Sequence, residues 1–390
     1  MDNISRGNGR ESNSPASVAD VTPATPAGPA AAAARFPGVR ATGLLQCADL
    51  REHPESLASG WWAVVADFEG GITGWRFSEV AEDVSRVTSA TDDGGPAWHG
   101  PHPSHWRSSL DEEGYVAAVE RVRSAVREGE VYQANICRVL SADLDGPEPD
   151  PAALARVLSA GNPAPYAGYL HVPVGAASRP AWVVSASPEL FLSVRDGRVT
   201  SGPIKGTAVR PEDLREKDHA ENLMITDLVR NDLQRVCRPG SVEVLDLCAV
   251  EHHPGLVHLV SRVRGELRAP LDAAGWSALL EATLPPASVS GAPKSSALRL
   301  IAELEPVARG PYCGAVGWID ADAGRAELAV GIRTFWWTPP RGDDGGTLHF
   351  GTGAGITWGS DARAEWRETE LKAARLVALA SSAPGGRLGP

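Results

Sequence analysis

Cysteine is scarce and never paired in this chain: Cys47, Cys137, Cys237, Cys248 and Cys313 are odd in number, and no two stand as C-x-x-C. That excludes a disulfide framework and a thiolate zinc site, and reads as reduced, intracellular thiols. Runs of lysine and arginine are missing too. With 37 Lys and Arg against 49 Asp and Glu, the formal net charge is −12, so the electrostatic footprint of a nucleic-acid binder is absent. No apolar run is long enough to span a membrane, and the first residues carry no apolar segment behind their charges. A membrane anchor and a secretory signal are therefore not expected, and the expected location is cytoplasmic. Several catalytic signatures are lacking as well. Without G-x-S-x-G, H-E-x-x-H or G-x-C-x-G, a serine triad, a zinc protease and a thiol amide hydrolase are set aside. SGAPKSS at 290–296 does not have the spacing of a P-loop, and FGTGAGI has Ile356 where a dinucleotide fingerprint requires glycine.

What is present is enough to build a core, since 43% of the 390 residues are hydrophobic. The Ser/Pro/Ala/Gly bias of residues 1–36 buries too little surface to offset ordering entropy, so a disordered tail is expected there. Residues 37–109 read as a strand-rich part of the same fold, 110–380 as the catalytic region, and 381–390 as a flexible tail. WWAVVADFEGGITGWRF alternates like two strands joined at Gly70-Gly71. Helical spacing marks Tyr115–Arg127, 214–237, a helix opening at 290–293, and another from about 361 to 380. AELAVGIRTFWW and TLHFGTGAGITW read as a hairpin. Strands and helices in mixed order, with hairpins in place of regular βαβ units, predict an α+β fold.

An acidic protein that binds an anion must gather positive charge, or recruit a cation, at one place. The last helix puts Glu365, Glu368 and Lys372 on one stripe; the 214–237 helix puts Asp218 and Glu221 at i, i+3. Two such helices can form an oxygen site for Mg²⁺, although a solvated ion pair and helix-dipole stabilisation explain the same residues. In ELAVGIRTF, Arg333 stands beyond small side chains on its face, and its fork suits a carboxylate or a core ion pair. Gly351, Gly353 and Gly355, at spacing two, suggest close backbone approach with N–H groups for an anion. Glu189, after a proline at a strand start, is a candidate general acid or an ordinary turn residue. His258 lies between apolar runs, where a core histidine is the usual finding. Lys205 sits in a Pro-Ile-Lys-Gly-Thr turn, and its amine is the remaining nucleophile candidate.

Ten blocks in order carry a resemblance across most of residues 110–378: GEVYQANICR, SASPELFLSV, GPIKGTAVR, ENLMITDLVRNDLQRVC, VHLVSRV, SVSGAPKSSALRLIAELEP, RGPYCGAVGW, VGIRTF, FGTGAGI and EWRETELKA. The chain resembles the chorismate-utilising enzymes. The resemblance implies a single large domain of antiparallel sheets flanked by helices. It implies Lys205 as covalent nucleophile at C2 of chorismate, Glu189 as general acid on the departing C4 hydroxyl, and His258 near the ring. Arg333, Tyr312, Thr207, Gly353, Ala354, Gly355 and Lys372 match the substrate-binding set. Glu221 and Glu368 match the Mg²⁺ ligands, with Glu365 and Asp218 as nearby acids. Water-adding members carry a lysine base at the position of Gln133, so glutamine there implies ammonia as the incoming group. Lysine in the P-I-x-G-T turn is similar to aminodeoxychorismate synthase component I, whereas anthranilate synthases typically have alanine. A glutamine amidotransferase subunit would supply the ammonia. Pro286-Ala287 and Gln234 depart from the glycines usual at those positions.

Overall fold

Period-two burial in the strands and one-sided burial in the helices assemble a mixed architecture. The computed structural model describes residues 31–83, 96–208, 210–253, 256–340 and 345–381. The first strands are Ala33–Phe36 (β1), Gly38–Asp49 (β2), Trp61–Ala66 (β3), Ile72–Asp83 (β4) and Arg107–Ser108 (β5). Helix Glu112–Arg127 (α1) follows, then Gln133–Asp143 (β6), Pro151–Gly161 (α2), Tyr166–Val172 (β7), Ala181–Ser187 (β8), Leu190–Arg195 (β9), Arg198–Gly202 (β10) and Ile204–Ala208 (β11). Helix Glu216–Gln234 (α3) leads to Glu243–His253 (β12), Leu256–Glu266 (β13), Ala273–Thr283 (α4), Gly291–Ala292 (β14) and Lys294–Leu304 (α5). The chain continues through Ala315–Asp320 (β15), Arg325–Val330 (β16), Thr334–Thr338 (β17), Thr347–Ile356 (β18) and Ala362–Ala380 (α6).

Antiparallel pairings run without a break. From β6 the order is β18, β17, β8, β7, β1 and β2. It continues through β4, β3, β15, β16, β9, β10, β13 and β12. The ribbon folds on itself, so that Trp61, Trp75 and Phe77 of one part pack on Leu170, Val172 and Val183 of the other. Helices α2 and α6 cover β8, β17 and β18 on one outer side; α3 and α4 cover β9 and β13 on the other. The result is α+β, as expected, with sheet faces inside and helices outside. No helix among the described residues is long and apolar enough to cross a membrane.

Three expectations need correction. Residues 33–36 are a strand rather than tail: Ala34 and Phe36 are buried, and β1 pairs with both β2 and β7. Composition averaged over 1–36 concealed two apolar positions that tertiary pairing uses. Residues 1–30 of the tail and 382–390 of the C-terminal one lie outside the described residues. The expected hairpin after Ala326 is broken. β16 pairs with β15 and β9, and only β17, beyond the kink at 331–333, pairs with β18. Arg333 has a positive φ of 52°, which ends the alternation. Lys205 is not in a turn but on β11, which pairs with β13 through an irregular register between Ile204 and Thr207.

Candidate active site

Two strand pairs change sheets side by side. β8 pairs with β17, while the strands that adjoin them in sequence, β9 and β16, pair with each other farther along the ribbon. The crossings are tied together: Ala186 N–H donates to the Arg333 carbonyl and Val330 N–H to the Glu189 carbonyl, both at 3.0 Å. Glu189 and Arg333 are thereby brought to one point. Glu189 is only 3% exposed. Burial pushes its carboxyl up from 4.5 to about 7, against a hydrogen bond with Ser288, the Lys205 ammonium, the Ile204 N–H and Arg333. Burial lowers the Arg333 guanidinium in turn, opposed by Glu189. A carboxyl in this state keeps its proton near neutrality and can give it to a leaving oxygen. A small pocket lies beside Glu189, and Ser288, Pro286 and Ala287 line it.

Lys205, whose charge acts on the Glu189 carboxyl, approaches from β11. Gly206, at φ 83°, lets the strand press against α3: a Cβ there would come within 2.9 Å of Asp218 Cβ and 3.2 Å of Leu259 Cδ1. Lys205 Nζ lies 3.7 Å from Glu221 Oε2. On β18, a Cβ on Gly355 would fall 2.8 Å from Lys205 Nζ, 2.7 Å from Gln133 Nε2 and 3.0 Å from Asn135 Oδ1. Glycine gives these three groups room to come together. Gln133 Nε2 donates to Asn135 Oδ1 at 3.2 Å, and Asn135 Nδ2 to the Ser288 carbonyl at 3.3 Å. Gln133 Oε1 is buried with no hydrogen-bond partner among the described residues. Such an acceptor is costly unless something arrives to donate to it.

The glycine strand borders this point. β17 pairs with β18 only as far as Phe350, so Gly351 to Ile356 have β6 on one side and no strand on the other among the described residues. Lys372 Nζ donates to the Gly353 carbonyl at 3.1 Å. Ala354 is buried, opposite Ile136 of β6. Tyr312 lies over Gly351, where any Cβ would collide with its ring. Its hydroxyl meets the Cys137 and Cys313 thiols. His258 is buried on β13, opposite Thr207 of β11. The Thr207 side chain lies outside the described residues.

The acids converge in part. Glu221 of α3 and Glu365 of α6, both buried, flank the Lys217 ammonium at 3.5 and 3.3 Å. Two carboxylates from separate helices around one cation are oxygen donors of the kind a hard metal ion takes, although no group of three His, Cys, Asp or Glu placed to hold a metal is found among the described residues. Glu368, about half exposed, pairs with Lys372 at 2.7 Å, and Lys372, Lys205 and Lys217 together hold its carboxyl below the ordinary range. Asp218 is placed otherwise: it accepts the Arg215 N–H at 2.8 Å and caps α3. Its hydrogen bond is spent on the helix start. Lys294 is also spent, on Asp232 at 2.7 Å. Sequence reasoning passed over Lys217, Asn135 and Ser288. Only the i, i+4 spacing of Lys217 to Glu221 offered a signal.

The family model described as chorismate binding enzyme matches residues 64–378. The chain belongs to that family. It is 36% identical over 287 residues to "Aminodeoxychorismate synthase component 1" of Klebsiella aerogenes, covering 70% of this chain and 59% of that one. It is 38% identical over 281 residues to "Anthranilate synthase component 1" of Saccharolobus solfataricus, covering 69% and 62%. The chain thus matches about 60% of the length of these relatives. The solved anthranilate synthase component I of Streptococcus pneumoniae TIGR4 superposes with a TM-score of 0.69 at 24% identity, over 92% of this chain and 94% of that one. The fold is therefore that of the chorismate-utilising enzymes.

Proposed function

We propose that this enzyme is an aminodeoxychorismate synthase component I, joining ammonia to chorismate to give 4-amino-4-deoxychorismate. The observation that carries the reading is Gln133, whose buried Oε1 has no hydrogen-bond partner among the described residues and whose Nε2 stands with Lys205 Nζ over Gly355. An amide oxygen cannot deprotonate water but can orient the N–H of an incoming ammonia. Lys205 attacks C2 as Glu189 protonates the departing C4 hydroxyl; ammonia then adds at C4 and the lysine leaves. Splitting one difficult substitution into two displacements is what a nucleophile provides. Arg333, Lys372 and the exposed edge of β18 bind the substrate carboxylates, and His258 lies by the ring. Glu221, Glu365 and Glu368 would hold Mg²⁺, which supplies positive charge for the ring carboxylate. A separate glutamine amidotransferase subunit provides the ammonia, in keeping with the "component 1" in the names of the relatives.

Anthranilate synthase is the second reading, since relatives of that name are equally similar. Incubating the purified chain with chorismate, Mg²⁺ and ammonium salt, with products read by mass spectrometry, separates the two. Aminodeoxychorismate is the expected product; anthranilate would replace the proposal with the second reading. Lys205→Ala is expected to abolish product formation and retain chorismate binding. Unchanged turnover in that variant would remove Lys205 from the chemistry.

A further inference from the structure

One edge of β6 has a gap in its ladder. Among the described residues, β14 pairs with Gln133 and Ala134 and β5 with Leu140 and Ser141, and no strand flanks the residues between. Two side chains fill part of that gap. Glu305, at the end of α5, accepts the Cys137 N–H at 2.8 Å, as the carbonyl of a neighbouring strand would. Arg309 donates to the Asn135 carbonyl at 2.9 Å, as a neighbouring N–H would. The two are joined as a fork, at 2.6 and 2.8 Å. Arg309 is 1% exposed, its guanidinium lies 4.0 Å from the centre of the Phe68 ring, and its own N–H donates to Glu69 at 2.7 Å. A planar guanidinium matched on its fork by a carboxylate has little freedom to turn.

A further bond of the same guanidinium leads to the candidate site. Arg309 Nη1 donates to the Val289 carbonyl at 3.1 Å. Val289 adjoins Ser288, which lines the pocket beside Glu189 and whose carbonyl accepts from Asn135 Nδ2. One buried side chain thus ties two backbone segments together: the stretch of β6 that carries Gln133 and Asn135, and the turn that carries Ser288.

We propose that Arg309, held by Glu305, is a positioning residue that fixes Gln133 relative to the Glu189 side of the site. The proposal rests on the reading in which Gln133 orients ammonia. Arg309 acts through two backbone carbonyls and touches no reacting atom. Lysine is not its equivalent, because a single ammonium has no planar fork with which to hold a carboxylate and two carbonyls in fixed directions. Glu305 balances a charge that burial would otherwise leave unpaired, and it satisfies a backbone N–H that no strand reaches. Arg333 and Lys372, assigned to the substrate carboxylates, belong to the β16–β17 kink and to α6. Loosening the Arg309 tie is therefore felt by ammonia before it is felt by chorismate.

The test compares the natural chain with Arg309→Lys. Because a single change in a buried ion pair can prevent folding, a second variant, Glu305→Leu with Arg309→Met, removes both charges together. Circular dichroism checks the fold, calorimetry without ammonium reads chorismate binding, and chorismate consumption is followed against ammonium concentration. The ammonium KM is expected to rise roughly tenfold or more in both variants, with chorismate affinity within about twofold of the natural chain. Folded variants with an unchanged ammonium KM, an equal loss of chorismate affinity, or loss of the fold in both variants would each overturn the proposal and leave the pair a structural one. Failure of the underlying reading shows in the natural chain instead, as consumption that does not depend on ammonium.

Discussion

At the residue scale, Glu189 shows how burial creates a chemical role. Its carboxyl is raised from 4.5 to about 7 because desolvation outweighs the Ser288 hydrogen bond and the Lys205 and Arg333 charges. In the proposed role of general acid it must hold its proton, so kcat/KM is expected to fall as pH climbs through about 7. Glu189→Gln is expected to lose about 10²–10⁴-fold in turnover and that descending limb with it. The stability linkage has the same sign. A carboxyl whose folded value is raised contributes stability below 4.5 that is lost as pH rises through about 7. Urea melts at pH 5 and pH 8 should therefore differ less in Glu189→Gln than in the natural chain. Most of this was invisible in SASPELFL, where a glutamate after proline has nothing nearby to desolvate it.

At the element scale, β11 and α3 are held together by a missing side chain. Gly206→Ala would place a methyl group 2.9 Å from Asp218 Cβ on a left-handed backbone. The expected cost is about 1–2 kcal/mol in urea denaturation, with turnover falling further because Lys205 is the preceding residue. A stable variant with full activity would show that the bulge does not aim the lysine. The helices α3 and α6 were legible from their apolar periods and end signals, and so was the strand pair joined at Gly70-Gly71. The break at 331–333 was not. VGIRTF alternates as a strand should, and the demand that Arg333 turn towards Glu189 is made by another strand, remote in sequence.

At the scale of the whole molecule, the acid cluster tests how the two outer helices cooperate. Glu221 and Glu365 lie far apart in the sequence and share the Lys217 ammonium. Removing divalent ions with a chelator is expected to abolish turnover while leaving the circular dichroism unchanged, and added Mg²⁺ should restore it. Retained activity after chelation would mean that Lys217 alone supplies the positive charge.

Family and element types were readable from residue order, and Lys205, Glu189, Arg333 and the carboxylates could be named there as candidates, because motif blocks and periods of 2 and 3.6 are local properties of a chain. Which partners those residues meet was not, because it depends on pairings among strands far apart in sequence. The tertiary structure gave Asp218 to a helix cap, Lys294 to Asp232 and Tyr312 to a pair of thiols. It also left Gln133 Oε1 without a hydrogen-bond partner among the described residues. Burial and hydrogen-bond satisfaction are properties of the folded whole, and only there does a polar side chain acquire, or lack, the neighbours that decide what it does.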